Sequence, residues 1–324
     1  MKYVFVCADI SFLTLQYMDF DLLDNTILVK TTGINRKVFK ALNIIGLYRF
    51  KFLDCFSDLY FKKHFRKLLN NNDSYCFIIY SRSYEDYRCS LTRYLRREFP
   101  NCRIVVYYGD LVSKHRVNIS DVLNDTDLVC SFDSDDAKNN NISWVLEPFS
   151  ESVVDLKELS QDKNPIRWDV TFVGQAKNRL KQIIEIYDLL RINGLKCDFH
   201  ITGVKKKDRV YTESISYEPL SFMDLLRHVV SSRCILEVMQ ENGVSPTTRY
   251  TEAMLFDKNL LTNCKSFLLQ TNCPANVFYY NEANELSDNV FNDIIQCHNY
   301  DKREYLDKFS INTFLRTIEK LLNE

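Results

Sequence analysis

Short apolar runs alternate with helical segments along most of the chain, and this alternation constrains the fold more than any other feature. In the first half, each run is apolar throughout rather than at every second position. Such strands are typical of parallel sheets that helices cover on both faces. We therefore predict strands at residues 2–8, 26–30, 75–81, 103–108 and 128–132, mainly helical residues at 36–69, and a helix at 85–99.

The pattern stops at a polar segment, residues 151–164, and starts again after Pro165. The second series has predicted strands at 169–173, 197–202, 234–239 and 259–263 and predicted helices at 177–192, 221–230 and 248–257. Two such series predict an α/β chain of two Rossmann-like domains with parallel sheets facing across a cleft. We expect an N-terminal domain at 1–155 and a C-terminal domain at 165–305. An amphipathic final helix is predicted over roughly 301–322. The C-terminal segment at 306–324 would either cap the second domain or cross back to the first.

The composition is that of a globular protein. Hydrophobic residues make up 46% of the 324 residues and charged residues 26%, so the chain can form a sizeable core and is not disordered. The net charge of −1 predicts no electrostatic preference for nucleic acid, and we expect no nucleic-acid partner.

The cysteines indicate a reducing compartment. The 11 cysteines include no C-x-x-C pair, which argues against a zinc or dithiol motif. Several lie in apolar runs, where a free thiol behaves as a small hydrophobic side chain. We therefore expect reduced thiols in a cytoplasmic protein. The opening MKYVFVCADI is too short an apolar run for a signal peptide, and no run approaches the ~18 apolar residues of a membrane span.

A first candidate anion site lies in the stretch 234–262. Thr247, Thr248 and Arg249 stand where a helix is predicted to begin, and Glu252 follows one turn later. A helix start offers unpaired N–H groups and a positive dipole end, and a guanidinium adds bidentate recognition of phosphate. Glu252 can accept hydrogen bonds from hydroxyl groups. The alternative is an ordinary threonine cap with a surface Arg249–Glu252 pair.

A second candidate lies at residues 170–180. A predicted strand runs into Gly174, and the next helix is predicted to carry Lys177 and Arg179 in its first turn. Cations there oppose the helix dipole, so a bound polyanion would explain them; the alternative is that both are solvated. Neither G-x-G-x-x-G nor a Walker sequence is present. Because strand ends of one parallel sheet share an edge, this site, Gly203 and the turn at 240–249 should converge.

Two sequence runs carry a family resemblance. D-V-T-F-V-G-Q-A-K-N-R-L and S-P-T-T-R-Y-T-E-A-M-L-F-D-K-N-L-L-T-N resemble the donor domain of GT-B glycosyltransferases, particularly bacterial enzymes of surface-polysaccharide assembly. The resemblance covers roughly residues 169–265. It implies a nucleotide-sugar donor, no cofactor, and a saccharide or lipid-linked acceptor. By matching position, the resemblance implies that Glu252 binds the ribose and that Tyr217 lines the base pocket. It implies that the phosphates are held by five residues: Thr247, Thr248, Arg249, Lys177 and Arg179.

The resemblance leaves the reaction type open. Many retaining members have an acidic residue eight positions before the ribose glutamate, and Val244 stands there in this chain, so we favour inversion. An inverting transfer needs a general base on the acceptor side. The candidates at strand ends of the first domain are Asp9, Asp110 and His115, each with a purely structural alternative. Cationic side chains and helix ends would stabilise the leaving group, so no metal is expected. Asp133 and Asp135 form a D-S-D sequence, but we interpret them as loop acids rather than metal ligands.

Residues 48–67 interleave aromatic and basic side chains. A peripheral contact with the inner face of the membrane would suit a lipid-linked acceptor. The aromatic residues do not fall on one helical face, however, and packed helices with solvated basic residues are the favoured interpretation. For the whole chain, the alternatives to a glycosyltransferase are a non-catalytic two-lobed ligand-binding protein and a degenerate GT-B partner subunit.

Overall fold

The structure is a computed structural model that describes residues 1–8, 15–31, 39, 54–65, 68–70, 73–269, 273–298 and 300–324. The chain divides into two compact units. The first comprises Met1–Ser150 together with Ile311–Glu324, and the second comprises Glu151–Ser310. Each unit is built around its own six-stranded sheet, and every strand pairing in both sheets is parallel. The prediction of two parallel α/β sheets is confirmed.

The sheet of the first unit has the strand order β2-β1-β3-β4-β5-β6. Its strands are β1 (Lys2–Ala8), β2 (Thr26–Thr31), β3 (Tyr75–Tyr80), β4 (Arg103–Tyr108), β5 (Leu128–Ser131) and β6 (Ser143–Trp144). The first five lie within a residue or two of their predicted bounds. The sixth was not predicted, because a two-residue strand has no periodicity to detect.

Both faces of this sheet are buried, which explains the uninterrupted apolar runs. Along β1, Val4 and Val6 belong to one hydrophobic core, whereas Tyr3, Phe5 and Cys7 belong to the other. Successive side chains of a strand point to opposite faces, so a strand between two cores needs apolar residues at every position. Helix Ile311–Asn323 packs into the second of these cores through Ile311, Phe314, Leu315 and Ile318.

Helices α1 (Asp54–Phe65) and α2 (Ser81–Glu98) contribute to the other core, and α3 (Ile119–Asp125) and α4 (Ser134–Asn140) follow in the chain. Helix α2 begins four residues before its predicted start and is broken at Arg88, whose φ is 49°. Tyr60, Phe61 and Phe65 of α1 are buried in the core. In the described part of the aromatic–basic stretch, these rings are therefore packed inside the unit; residues 48–53 and 66–67 lie outside the described residues.

The sheet of the second unit has the order β12-β11-β10-β7-β8-β9. Its strands are β7 (Trp168–Gln175), β8 (Cys197–Thr202), β9 (Ile215–Ser216), β10 (Ser232–Glu237), β11 (Asn259–Thr262) and β12 (Val277–Tyr279). Its helices are α5 (Leu180–Ile192), α6 (Phe222–Val230), α7 (Thr248–Leu255), α8 (Asp288–Asp293) and α9 (Arg303–Leu306). Strand β10 begins and ends two residues before its predicted position, so Glu237 becomes its last residue.

Two expectations for the connecting segments need correction. The final helix is not continuous over 301–322: α9 ends at Leu306, Ser310 is extended with ψ of 149°, and α10 (Ile311–Asn323) starts afresh. The polar segment at 151–164 is also more ordered than a plain linker. It forms two 3₁₀ turns, Glu151–Asp155 and Lys157–Leu159, that bury Val153 and Leu159.

All 11 cysteines are free thiols, and most of them are buried. Among the helices that the structure describes, none is both long and apolar enough to cross a bilayer.

Candidate functional site

The carboxyl edge of the second sheet brings the two candidate anion-binding loops into contact. The loop after β7 reaches the loop after β10 through Lys177 Nζ, which donates to Gln240 Oε1 at 2.6 Å, and through Asn178 Nδ2, which donates to Glu241 Oε2 at 2.7 Å. The Arg179 guanidinium donates to the carbonyl of Val238. The convergence expected for these two loops is therefore present in the hydrogen bonds, and that of Gly203 stays a prediction.

Lys177 and Arg179 do not lie in the first turn of a helix, as the sequence had predicted. Helix α5 starts at Leu180, Arg179 occupies its N-cap position, and Lys177 has a left-handed φ of 46°. Arg179 at the N-cap still lies at the positive end of the helix dipole, where a cation is unfavourable. Gly174 is likewise within β7, paired with Ile201, rather than in a turn.

Arg179 is held against the strand ends rather than solvated. Its Nη2 donates to the carbonyl of Gln175 at 2.6 Å, while its Nε is buried and has no hydrogen-bond partner among the described residues. Burial lowers the pKa of Arg179, and the charge of Glu237 opposes that shift. A partly buried guanidinium with an unused Nε donor is a group that an added anion would satisfy.

The start of α7 combines an ordinary cap with an unusual carboxylate. Thr247 is the N-cap and accepts a hydrogen bond from the backbone N–H of Arg249 at 3.2 Å, so the cap interpretation of this threonine is correct. Its hydroxyl also donates to Glu237 Oε1 at 2.5 Å. Thr248, the first helical residue, is partly exposed.

Glu237 is a buried carboxylate that the sequence reasoning missed. It ends β10 and accepts hydrogen bonds from the hydroxyls of Thr247 and Thr262, each at 2.5 Å. Burial raises the pKa of Glu237, and the two hydroxyls and the charge of Arg249 oppose the rise. The available signal was an acidic residue inside the apolar run CILEV, since charged residues are almost never buried without partners.

Arg249 and Glu252 form a partly buried ion pair, in which the carboxylate is fully buried. The guanidinium donates to Glu252 Oε2, and the two side chains are 16% and 0% exposed. The second oxygen, Oε1, is buried and has no hydrogen-bond partner among the described residues. Burial raises the pKa of Glu252 to about 7, against the attraction of Arg249. An unsatisfied buried carboxylate oxygen costs about 1–3 kcal/mol, which a hydroxyl donor would recover.

Tyr217 makes its described contacts with Arg209 and Val210 rather than with the two anion-binding loops. Its hydroxyl accepts from the N–H of Val210 at 2.7 Å and donates to the carbonyl of the same residue at 2.8 Å, and Arg209 stacks on its ring at 4.9 Å. Tyr217 thus anchors the loop that precedes β9. Its assignment to a base pocket stays a prediction.

The candidates for the general base in the first unit differ in how many of their polar atoms already have hydrogen-bond partners. Asp9 lies outside the described residues. Asp110 is partly buried after β4, and its Oδ1 accepts from the N–H of Leu111 at 3.0 Å. Both ring nitrogens of His115 are engaged, Nδ1 with Glu85 and Nε2 with Ser81, each at 3.3 Å. Asp133 is not a loop acid as expected: it is buried and caps α4 by accepting from the N–H groups of Asp135 and Asp136.

Glu147 is a further carboxyl at the carboxyl edge of the first sheet, and sequence reasoning missed it. Its Oε1 accepts from the Tyr17 hydroxyl at 2.8 Å and would lie 2.7 Å from a Cβ placed on Gly109, which follows β4. Burial raises the pKa of Glu147 to about 7, and the nearby Asp110 contributes. The residue keeps partial solvent exposure. A carboxyl with such a pKa can accept a proton near neutral pH.

A cavity of about 320 Å³ lies at the opposite, amino edge of the second sheet, lined in part by Ser232, Arg233, Lys258, Asn259 and Asn276. Its polar side chains are tied to the protein: Lys258 Nζ donates to the carbonyl of Val230, and the amides of Asn259 and Asn276 donate to backbone carbonyls. Because ligands of open parallel sheets bind at the carboxyl ends of strands, the carboxyl edge is the stronger candidate.

Comparison with solved structures shows which fold this is. An alpha-glucosyltransferase in complex with UDP and a 13-mer DNA containing a central A:G mismatch aligns over 100% of both chains, with a TM-score of 0.62 and 10% identity. A glycosyltransferase from Rickettsia africae aligns over 99% of this chain and 98% of its own, with a TM-score of 0.54 and 11% identity. A UDP-forming alpha,alpha-trehalose-phosphate synthase from Burkholderia xenovorans aligns over 100% and 99%, with a TM-score of 0.55 and 9% identity.

No protein-family model matches the chain, and a search of curated proteins found no match. The similarity is therefore one of fold. The chain has the GT-B fold of two Rossmann-like domains, as the sequence resemblance predicted.

Proposed function

We propose that the chain is a glycosyltransferase that binds a nucleoside-diphosphate sugar at the carboxyl edge of its second sheet. The observation that carries the proposal is the partly buried Arg249–Glu252 pair at the start of α7, in which one oxygen of the buried carboxylate has no hydrogen-bond partner among the described residues. The pair presents a cation and a hydrogen-bond acceptor side by side, which matches a diphosphate attached to a ribose. The fold supports the same class of ligand, since two of the similar proteins are described with UDP or as UDP-forming.

The donor would be held by groups that the structure already gathers. The ribose hydroxyls donate to Glu252, and the diphosphate lies between the N-terminus of α7, with Thr248 and Arg249, and the loop with Lys177 and Arg179. Lys177 has to exchange its bond with Gln240 for a phosphate oxygen. Charge-assisted hydrogen bonds to the diphosphate also stabilise it as the leaving group. The transfer is therefore proposed to need no metal.

The sugar acceptor loses a proton as its hydroxyl attacks, and we assign an inverting reaction with a carboxylate base in the first unit. Glu147 is the favoured base because its environment sets its pKa near neutrality, where a base is both ionised and able to accept a proton. Asp9 and Asp110 stay as alternatives. His115 is less suited, since both of its nitrogens have protein partners.

The acceptor is proposed to be a saccharide or a lipid-linked saccharide of surface-polysaccharide assembly. This step rests on the resemblance of residues 169–265 to such enzymes. Tyr60, Phe61 and Phe65 are packed in the first unit's core, so these three rings are not available for a membrane contact through 48–67.

The test is a binding and turnover series with UDP, GDP, ADP and CMP and their sugar conjugates. One nucleotide should bind and raise the apparent melting temperature, and its sugar conjugate should be hydrolysed slowly in the absence of acceptor. Arg249→Lys keeps the charge but not the bidentate geometry, and should weaken binding at least ~10-fold. Glu252→Ala should weaken nucleotides but not inorganic pyrophosphate, which has no ribose.

Lys181→Ala is the matched control, because Lys181 lies in the first turn of α5 beside the site and is 90% exposed. If no nucleotide binds, or if Arg249→Lys and Lys181→Ala bind alike, the donor site is wrong. Binding without any hydrolysis or transfer would instead support the non-catalytic alternatives, a two-lobed binding protein or a degenerate partner subunit.

A further inference from the structure

Three metal-ligating side chains of the second unit form a cluster that the proposed function does not use. Asp198 and His200 lie two residues apart on β8, so their side chains point to the same face of the sheet. His228 comes from the last turns of α6, which packs over that face. One donor atom from each of the three residues lies within 4.8 Å of the others.

The distances within the cluster are those of a compact ligand set. His200 Nε2 lies 3.3 Å from Asp198 Oδ1, and His228 Nδ1 lies 2.5 Å from Asp198 Oδ2. The two imidazole rings have centroids 4.4 Å apart. Zinc–ligand bonds of ~2.0–2.1 Å in tetrahedral geometry place two ligand atoms ~3.3 Å apart. The His200–Asp198 separation already matches that value. To bind the metal, His228 Nδ1 has to give up its hydrogen bond to Asp198, carry the lone pair with the ring proton on Nε2, and move out to the same spacing.

The burial of the cluster also suits a bound cation. The Asp198 and His200 side chains are 11% and 12% exposed, whereas His228 is 28% exposed, which leaves an entry path along α6. His200 Nδ1 is buried and has no hydrogen-bond partner among the described residues.

The cluster stands on rigid elements and away from the nucleotide loops. Strand β8 is paired on both sides, with β7 and with β9, and the carbonyl of Asp198 accepts from Thr171 Oγ1 at 3.0 Å. The neighbours of Asp198 and His200 along the strand, Phe199 and Ile201, belong to the core on the α5 side. The cluster therefore lies on the opposite face of the sheet from α5.

We propose that Asp198, His200 and His228 form a binding site for a divalent transition metal, with Zn²⁺ as the ion that fits two imidazoles and one carboxylate. A water molecule would complete four-coordination. Bound metal ties α6 to β8 and so stabilises the second unit. The site is independent of the proposed nucleotide-sugar site, and its test does not depend on transferase activity.

The test uses the full chain after removal of metals with a chelator. Titration with Zn²⁺, followed by calorimetry and by thermal melting, should give one ion per chain and a melting temperature that rises with Zn²⁺ concentration. Mg²⁺, which prefers oxygen ligands, should give neither. Titration with Co²⁺ should give visible absorption without thiolate-to-cobalt charge transfer, which separates this site from adventitious binding at the free cysteines.

His228→Asn is the informative variant, because its amide can still donate to Asp198 while it is a poor zinc ligand. It should fold and lose at least ~10-fold in Zn²⁺ affinity. His298→Ala is the matched control: this histidine is in the same unit, and its Nε2 contacts the carbonyl of Asp293. Absence of stoichiometric Zn²⁺ binding, unchanged affinity in His228→Asn, or a cobalt spectrum dominated by thiolate ligands would each overturn the proposal.

Discussion

Replacing Glu252 by glutamine should change how the stability of the second unit depends on pH. The Glu252 side chain is 0% exposed, and burial raises its pKa from 4.5 to about 7. In the unfolded chain the carboxyl ionises near pH 4.5, whereas in the folded chain it keeps its proton until about pH 7. Between these values the folded state binds more protons, so the free energy of unfolding falls as pH rises.

The size of this effect follows from the pKa difference. One pKa unit corresponds to 1.36 kcal/mol, so the rise from 4.5 to about 7 predicts a loss of about 3 kcal/mol between pH 4 and pH 8. Glutamine keeps the shape of the side chain but has no titrating group, and Glu252→Gln should lack this loss. Relative to the parent protein, the variant should therefore gain about 3 kcal/mol on going from pH 4 to pH 8.

The assay has to report on the second unit alone. The chain has two tryptophans, Trp144 in the first unit and Trp168 at the start of β7 in the second. With Trp144→Phe in both proteins, urea unfolding followed by tryptophan fluorescence monitors Trp168. Glu147 lies in the first unit and cancels in the comparison, whereas the charge of Glu237 acts on Glu252, so the measured difference reports this coupled pair. Parallel stability–pH curves for the two proteins would refute the assignment of Glu252 as a buried carboxyl with a raised pKa.

Further predictions concern the edges of the two sheets. Gly109→Ala should destabilise the first unit by about 1–3 kcal/mol by overpacking, because the new Cβ would clash with the hydroxyl and ring of Tyr80 and lie 2.7 Å from Glu147 Oε1. Gly243→Ala, whose neighbours lie at 3.5 Å, should change the urea midpoint little. Thr262→Val removes one of two hydroxyl donors to the buried Glu237 and should cost about 1–3 kcal/mol, measured by the same Trp168 fluorescence; a neutral result would mean that water replaces the hydroxyl. Glu147→Gln should lower kcat of sugar transfer at least ~100-fold and abolish the acidic limb of the pH–rate profile near pH 7; an unchanged profile would assign the base elsewhere.

Local sequence patterns were sufficient for most elements of the fold. Strands buried on both faces show continuous apolar runs, as β1 does with Val4 and Val6 on one side and Phe5 on the other. The helix that starts at Thr248 was found from its threonine cap and the following periodicity. The errors fell where patterns are short or ambiguous: the two-residue β6, the start of α5 after Arg179, and the break between α9 and α10 at Ser310.

The candidate donor site was only partly visible before folding. Sequence placed Arg249, Glu252, Lys177 and Arg179 on one sheet edge, because strand order alone brings the ends of β7 and β10 together. The sequence could not show that Glu252 is fully buried with one carboxylate oxygen unsatisfied, since burial depends on what packs over a residue. Nor could it select Glu237 from the other acidic residues.

The sequence by itself determined the class of fold, two parallel sheets each covered by helices, because strand and helix periodicities are local properties. Tertiary structure alone decided which buried polar atoms lack hydrogen-bond partners among the described residues and which distant side chains meet. Glu147 reaches Tyr17 across 130 positions of sequence, and His228 reaches Asp198 across 30. Desolvation and proximity set the pKa of a carboxyl and the fit of a metal site, and both quantities exist only once the chain has brought those residues together.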